Sequence, residues 1–149
     1  MKKIFGLLLL IIVLASSCRD DAETKINDQS LIGDWLYVEY GFSPGAGYIT
    51  KAVPAIPPLA ISFEKDFRLS TNLEGLEKYK FYRVIEDSQH STSVIAFYEE
   101  DPGSLPQDIS NLTHSYTLNW QDNTLKLSYR WCDEGCHMRF RKIGTREEH

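Results

Sequence analysis

Cys132 and Cys136 flank Asp133, Glu134 and Gly135, and His137 follows at once, so three side chains able to bind metal or form covalent bonds fall within six residues. Two thiols at this spacing can close a disulfide, stay free, or join a metal site. The disulfide is the expected reading, ahead of two free thiols. Gly135 can take the left-handed conformation that a short hairpin loop needs, and the bridge would pin that turn. Zinc comes last, because Cys132, Cys136 and His137 supply three ligands with no partner pair at finger spacing. Pairing Cys132 directly with Cys136 would put Trp131 and Met138 on opposite faces, a conflict that a bulge at Gly135 would remove. His90, His114 and His137 have no spacing that ties any of them to a nucleophile and an orienting acid, and each is read as a surface histidine. Glu99, Glu100 and Asp101, ahead of Pro102-Gly103, can touch a cation or form a solvated loop, the commoner fate of such a run. Asn111-Leu112-Thr113 fits the glycan acceptor pattern. No catalytic set emerges, and the chain is expected to be no enzyme and to carry no cofactor or metal.

The remaining cysteine, Cys18, belongs to a different chemistry. Lys2 and Lys3 give a positive start, Ile4 to Leu14 is apolar, and the small residues Ala15, Ser16 and Ser17 lead into Cys18. That is the layout of an export signal over residues 1–17, too short for a comfortable membrane span. Its ending resembles a bacterial lipobox, in which the chain is cut just before a cysteine that is then acylated, although Ala15 stands where that family usually has Leu. An ordinary secretory signal with a coincident cysteine is the alternative. The resemblance implies Cys18 as the membrane anchor, with several acyl chains of the palmitate kind, and a cell-envelope compartment in which disulfides persist. It also makes the sequon at Asn111 one that a bacterial lipoprotein would not normally use.

Loss of Lys2 and Lys3 lowers the basic residues from 16 to 14 against 21 acidic ones, a net charge of -7, which argues against nucleic acid as a partner. Arg19, Asp20, Asp21, Ala22 and Glu23 resemble the charged tag that sends some Bacteroidetes lipoproteins to the outer face of the outer membrane. A solvated tether explains the same residues. Residues 18–30 carry little apolar content and no helical stripe, so they read as a flexible tether with a reach of at most about 40 Å.

Residues 31–143 have the length of one domain with one core, and residues 144–149 read as a disordered tail. Period-2 alternation dominates this domain. Leu59, Ile61 and Phe63, then Phe67, Leu69, Thr71 and Leu73, alternate with polar or small residues. The turn Glu64-Lys65-Asp66 between them would pair Phe63 with Phe67. Tyr116, Leu118 and Trp120 alternate in the same way, as do Leu125, Leu127, Tyr129 and Trp131, across a four-residue turn from Gln121 to Thr124. Runs at residues 34–42, 78–86, 92–98 and 136–143 complete eight strands with no amphipathic helix between them. Eight antiparallel strands in sequence order suit an up-and-down β-barrel, which removes exposed edges by closing; a sandwich is the structural alternative.

Gly33-Asp34-Trp35, at the start of the first strand, resembles the Gly-x-Trp motif of lipocalins and of the lipocalin-like (calycin) lipoproteins of Bacteroidetes. The resemblance covers residues 31–143. It implies that Trp35 closes the barrel bottom and packs on an arginine of the last strand, Arg139 or Arg141. The chain departs from that family in lacking a Thr-Asp-Tyr triplet and the usual disulfide pattern.

In such a barrel the odd connections lie at one end and the even ones at the other. The two long connections, Ser43 to Pro58 and Glu99 to Leu112, are the first and fifth, so both belong to the end away from Trp35, which is the expected mouth. The first, with Val53 and Ile56 among its glycines and prolines, is a candidate lid or a surface excursion packed by its own apolar residues. Apolar rows followed toward the mouth select Leu59, Leu73, Phe97, Tyr116, Tyr129, Trp131 and Met138 as candidate ligand contacts, or as core that simply fills the barrel. The expected function is binding of a small hydrophobic or amphipathic ligand. The alternative is an envelope interaction module whose long loops contact or inhibit a partner protein.

Overall fold

A computed structural model describes residues 28–144, apart from residues 88, 89, 107, 108, 122 and 134. The signal at residues 1–17, the anchor Cys18 and residues 19–27 and 145–149 lie outside the described residues. One helical turn, α1 (Asp28–Leu31), precedes nine strands: β1 (Gly33–Phe42), β2 (Ile49–Ala52), β3 (Ala60–Phe63), β4 (Leu69–Thr71), β5 (Phe81–Asp87), β6 (Thr92–Tyr98), β7 (Ser115–Gln121), β8 (Thr124–Tyr129) and β9 (His137–Gly144). The fold thus takes in three residues ahead of Leu31, and β9 extends through Gly144.

The strands form one antiparallel sheet in the order β4-β3-β1-β9-β8-β7-β6-β5. First and last strands pair over most of β1, from Asp34 opposite Gly144 to Gly41 opposite His137. The outer strands β4 and β5 meet at a single bridge between Arg68 and Phe81, flanked by Leu69 N–H donating to Lys80 O at 2.9 Å and Tyr82 N–H to Phe67 O at 2.8 Å. The eight-stranded up-and-down sheet is therefore nearly closed into a barrel, and its thin seam lies between β4 and β5. Closure satisfies backbone groups that an open edge would leave bare.

β2 and β3 together form the second strand of the eight. Both lie on the same edge of β1, with Ala52 opposite Glu39 and Ala60 opposite Leu36. Val53 N–H donates to Val38 O at 3.0 Å and Tyr37 N–H donates to Leu59 O at 2.8 Å, so residues 54–58 are a bulged excursion from one interrupted strand. Of the two readings of this connection, a lid or a surface excursion, residues 54–58 fit the excursion, although Ile56 stands out exposed and is not packed within it and residues 49–52 are a strand. The upper half of β1 has an edge to fill, and the β-branched Ile49-Thr50 fills it.

Two registers differ from the sequence expectation. Phe63 pairs with Leu69, not Phe67, because Phe67 takes a positive φ of 61° inside the turn and Glu64 N–H donates to Arg68 O at 2.9 Å. Leu73 has left the strand. It begins a turn through residue 80 in which Leu73, Leu76 and Tyr79, three residues apart, are all buried. At the other hairpin Gln121 does pair with Thr124, with Asn123 at φ 61°.

Trp35 is fully buried at the closed end, where its indole N–H donates to Leu31 O at 2.7 Å and its ring meets Trp120 edge-on at 4.8 Å. The cation on it is Lys142, whose Nζ lies 5.2 Å from the Trp35 ring centre and 5.6 Å from that of Trp120. Neither Arg139 nor Arg141 packs there. Met138, Phe140 and Lys142 share the inner face by alternation, so the two arginines point outward; Arg139 pairs with Glu39 at 3.2 Å. Gly33, with φ 126°, opens β1 where only glycine is comfortable.

Candidate functional site

All odd connections, including the turn at residues 72–80, gather at the end away from Trp35. A cleft of about 310 Å³ opens there. Its walls come from Leu76 on that turn, Tyr116 on β7, Leu127 and Tyr129 on β8, and Met138 on β9. Glu74, Gly75, His114, Cys136 and His137 complete the lining. Below it Ile61, Phe63, Tyr82, Leu125 and Phe140 are buried to 2 % exposure or less.

Of the seven residues selected from the sequence, Tyr116, Tyr129 and Met138 line the cleft. Leu73 and Phe97 are buried core, and Leu59 packs against that core from the end of the excursion. Trp131 is 53 % exposed and lies outside the cleft, its indole N–H donating to Leu112 O at 2.8 Å. The strand ends at Tyr129, so alternation no longer directs Trp131 inward. Glu74, Leu76 and His114 were missed. The i, i+3, i+6 spacing of Leu73, Leu76 and Tyr79 is the signal that marks the turn carrying the first two.

Aromatic rings dominate the cleft wall. Tyr116 and Tyr129 lie 5.4 Å apart between centres, Phe97 backs Tyr116 at 5.3 Å, and His114 packs on Tyr79 at 4.8 Å. Burial pushes the Tyr116 phenol up to about 12, with Tyr129 and Tyr79 adding to the effect, so it is neutral throughout the physiological range. The Tyr129 hydroxyl donates to Thr113 O at 3.3 Å and ties the strand to the preceding loop.

Cys132 and Cys136 stand at disulfide distance, with Cα atoms 5.7 Å apart. The register conflict is resolved at Gly135, which has φ 75°, and by the turn beginning at Arg130: Tyr129 N–H donates to Cys136 O at 2.9 Å, and Leu127 faces Met138. The acidic run is engaged within the protein, Glu99 with Lys78 at 2.6 Å and Asp101 with the buried Arg83 at 2.5 Å. His90 is exposed beside Asp87, at 2.9 Å.

His137 is not a surface histidine. Alternation sets it on the outer face of β9, yet it is 4 % exposed because the Tyr48 ring lies parallel over it, 5.6 Å between centres. Its Nε2 donates to Glu39 Oε1 at 3.2 Å, which leaves Nδ1 to accept the Tyr48 hydroxyl. Carboxylate, imidazole and phenol thus stand in the order of an acid–base relay. Burial pushes the imidazole down and the phenol up. The chain of bonds works as a strut that holds the β2 arm on the barrel.

Comparison with protein-family models, curated proteins and solved structures finds no match to this chain.

Proposed function

We propose that this chain is a membrane-tethered, lipocalin-like binding protein that holds a small apolar or amphipathic molecule in the cleft at its barrel mouth, by burial and without chemistry. The observation that carries this reading is the cleft itself, a concave space of about 310 Å³ lined by Leu76, Tyr116, Leu127, Tyr129 and Met138 above the buried side chains of the barrel. Its size is at the low end for ligand sites, which run from about 300 to 1,000 Å³, and suits a ring or short chain. The export signal and Cys18 support attachment to the cell envelope by acyl chains, with the outer membrane as its place and its outer face as one destination. Gly33, Trp35 and the cation on the last strand support the lipocalin-like reading, with Lys142 in the place of the arginine.

Native mass spectrometry of the full chain, made in an oxidising compartment and compared with the same sample denatured, tests the binding. A mass excess lost on denaturation is expected. A bare mass that stays bare on exposure to cell-envelope extracts would sink the proposal.

A second reading, docking of a partner protein on the loops, is favoured by the exposed Tyr48, Ile49, Ile56, Leu105 and Trp131. Such side chains concentrate at interfaces. Pull-down with the wild type and an Ile56→Asp variant separates the two, because loss of capture with ligand uptake intact belongs to the second alone.

A further inference from the structure

The cleft's lining contains no lysine or arginine, and its one side chain of fixed charge is the Glu74 carboxylate. An anionic head group would therefore meet the repelling charge of Glu74 and neither a lysine nor an arginine among the described lining residues. A carboxylate brought into such a site loses hydration without replacement, which is the costly case. Glu74 is exposed and has no salt bridge among the described residues, so it is available to a ligand.

The walls supply what a cation needs instead. Tyr116 and Tyr129, 5.4 Å apart between centres and inclined at 45°, line the cleft together with His114 and Met138. Ring faces carry negative quadrupolar potential and attract a desolvated ammonium, with soft sulfur as a compatible neighbour. A neutral phenol presents that face without competing for the ligand's charge, and the Tyr116 hydroxyl can in addition accept a hydrogen bond.

We propose that the ligand is an organic cation, an ammonium head on a short apolar tail, with the Glu74 carboxylate and the aromatic lining receiving the head and the apolar lining residues Leu76, Leu127 and Met138 receiving the tail. This rests on the binding-protein reading above. It narrows the class from any small amphiphile to cationic ones and excludes fatty acids.

The test is calorimetric titration of the full chain with three probes of one tail length: hexyltrimethylammonium, 1-hexanol and hexanoate. The cation is expected to bind at least about tenfold more tightly than either competitor, the order of gain that a desolvated cation–π contact and a nearby carboxylate provide. Glu74→Gln, an exposed isosteric change checked for folding by circular dichroism, should cut cation affinity several-fold and lower the ratio of cation to hexanol affinity by the same factor. Equal binding of all three, or preference for hexanoate, would overturn the cation inference and leave the carrier reading standing. Absence of binding by every probe, together with a ligand-free native mass, would overturn both.

Discussion

Gly41 faces the His137 imidazole across the β1–β9 pairing, and no other residue fits between them: a Cβ at position 41 would overlap Cε1 and Nδ1 of His137 and the Tyr48 hydroxyl. The missing side chain is what lets a histidine on the outer face of the barrel lie flat under the Tyr48 ring. Gly41→Ala should cost about 1–3 kcal/mol, the usual range for overpacking, measured by urea unfolding. In a His137→Ala background most of that cost should vanish, because the ring that the methyl strikes is gone. Additive losses in the double variant would show that the contact has no such role.

Acid should loosen the same strut. Burial holds the His137 imidazole below its ordinary 6.5, so between the lowered folded value and 6.5 the unfolded chain binds more protons than the folded one. Stability then rises with pH through that window; the contribution is complete above 6.5 and is lost as pH falls. The slope from this group cannot exceed about 1.4 kcal/mol per pH unit. His137→Gln should flatten the dependence between pH 6.5 and 5 relative to wild type, as followed by unfolding midpoints. Parallel curves for the two proteins would contradict the assignment.

Uptake should respond to Met138 and ignore Trp131. Met138→Trp puts a larger side chain into the cleft from a half-buried position and should lower the affinity for hexyltrimethylammonium at least tenfold while the barrel still folds. Trp131→Ala, by contrast, removes an exposed ring outside the cleft and should change that affinity less than twofold. A reversed pattern in the titrations would move the site to the loop at residues 99–114, where Trp131 rests on Leu112.

At the closed end Lys142 spans the faces of Trp35 and Trp120 and donates to Ser30 O at 3.2 Å. Lys142→Ala should destabilise by about 1–2 kcal/mol, combining contact with two rings and one hydrogen bond to the helical turn. Arg141→Ala, an exposed neighbour of opposite parity, should stay within about 0.5 kcal/mol. Thermal unfolding of the two variants side by side decides; equal effects would mean that the lysine carries no special load.

Particular residues show why some of this was legible in advance. Ile61 and Phe63, or Leu125 and Leu127, announce a half-buried strand because alternation is local and the pleat turns it directly into faces. Parity also applies to the last strand: Met138, Phe140 and Lys142 fall on one face. The expectation of an arginine over Trp35 came from family likeness and overrode that simpler rule. The Ile49–Ala52 arm was hidden because proline and glycine around it dominate the local signal, while its pairing partner is β1; the other half of that strand, around Ile61 and Phe63, shows in its alternation.

The succession of strands around the sheet and the hairpin pairing Gln121 with Thr124 were determined by the sequence alone, since period and turn chemistry act within a short window; Trp35 at the closed end was what the family resemblance implied, and the long first connection expected at the mouth contains β2. Tertiary structure alone decided which apolar residues fill the barrel and which line the cleft, and that His137 is buried. Both outcomes depend on residues far apart in the chain coming together, Gly41 and Tyr48 with His137 in one contact, and Glu74, Leu76, Tyr116 and Met138 around one cleft. Such contacts form only when the β1–β9 pairing closes the sheet and draws the turns of one end over a common space.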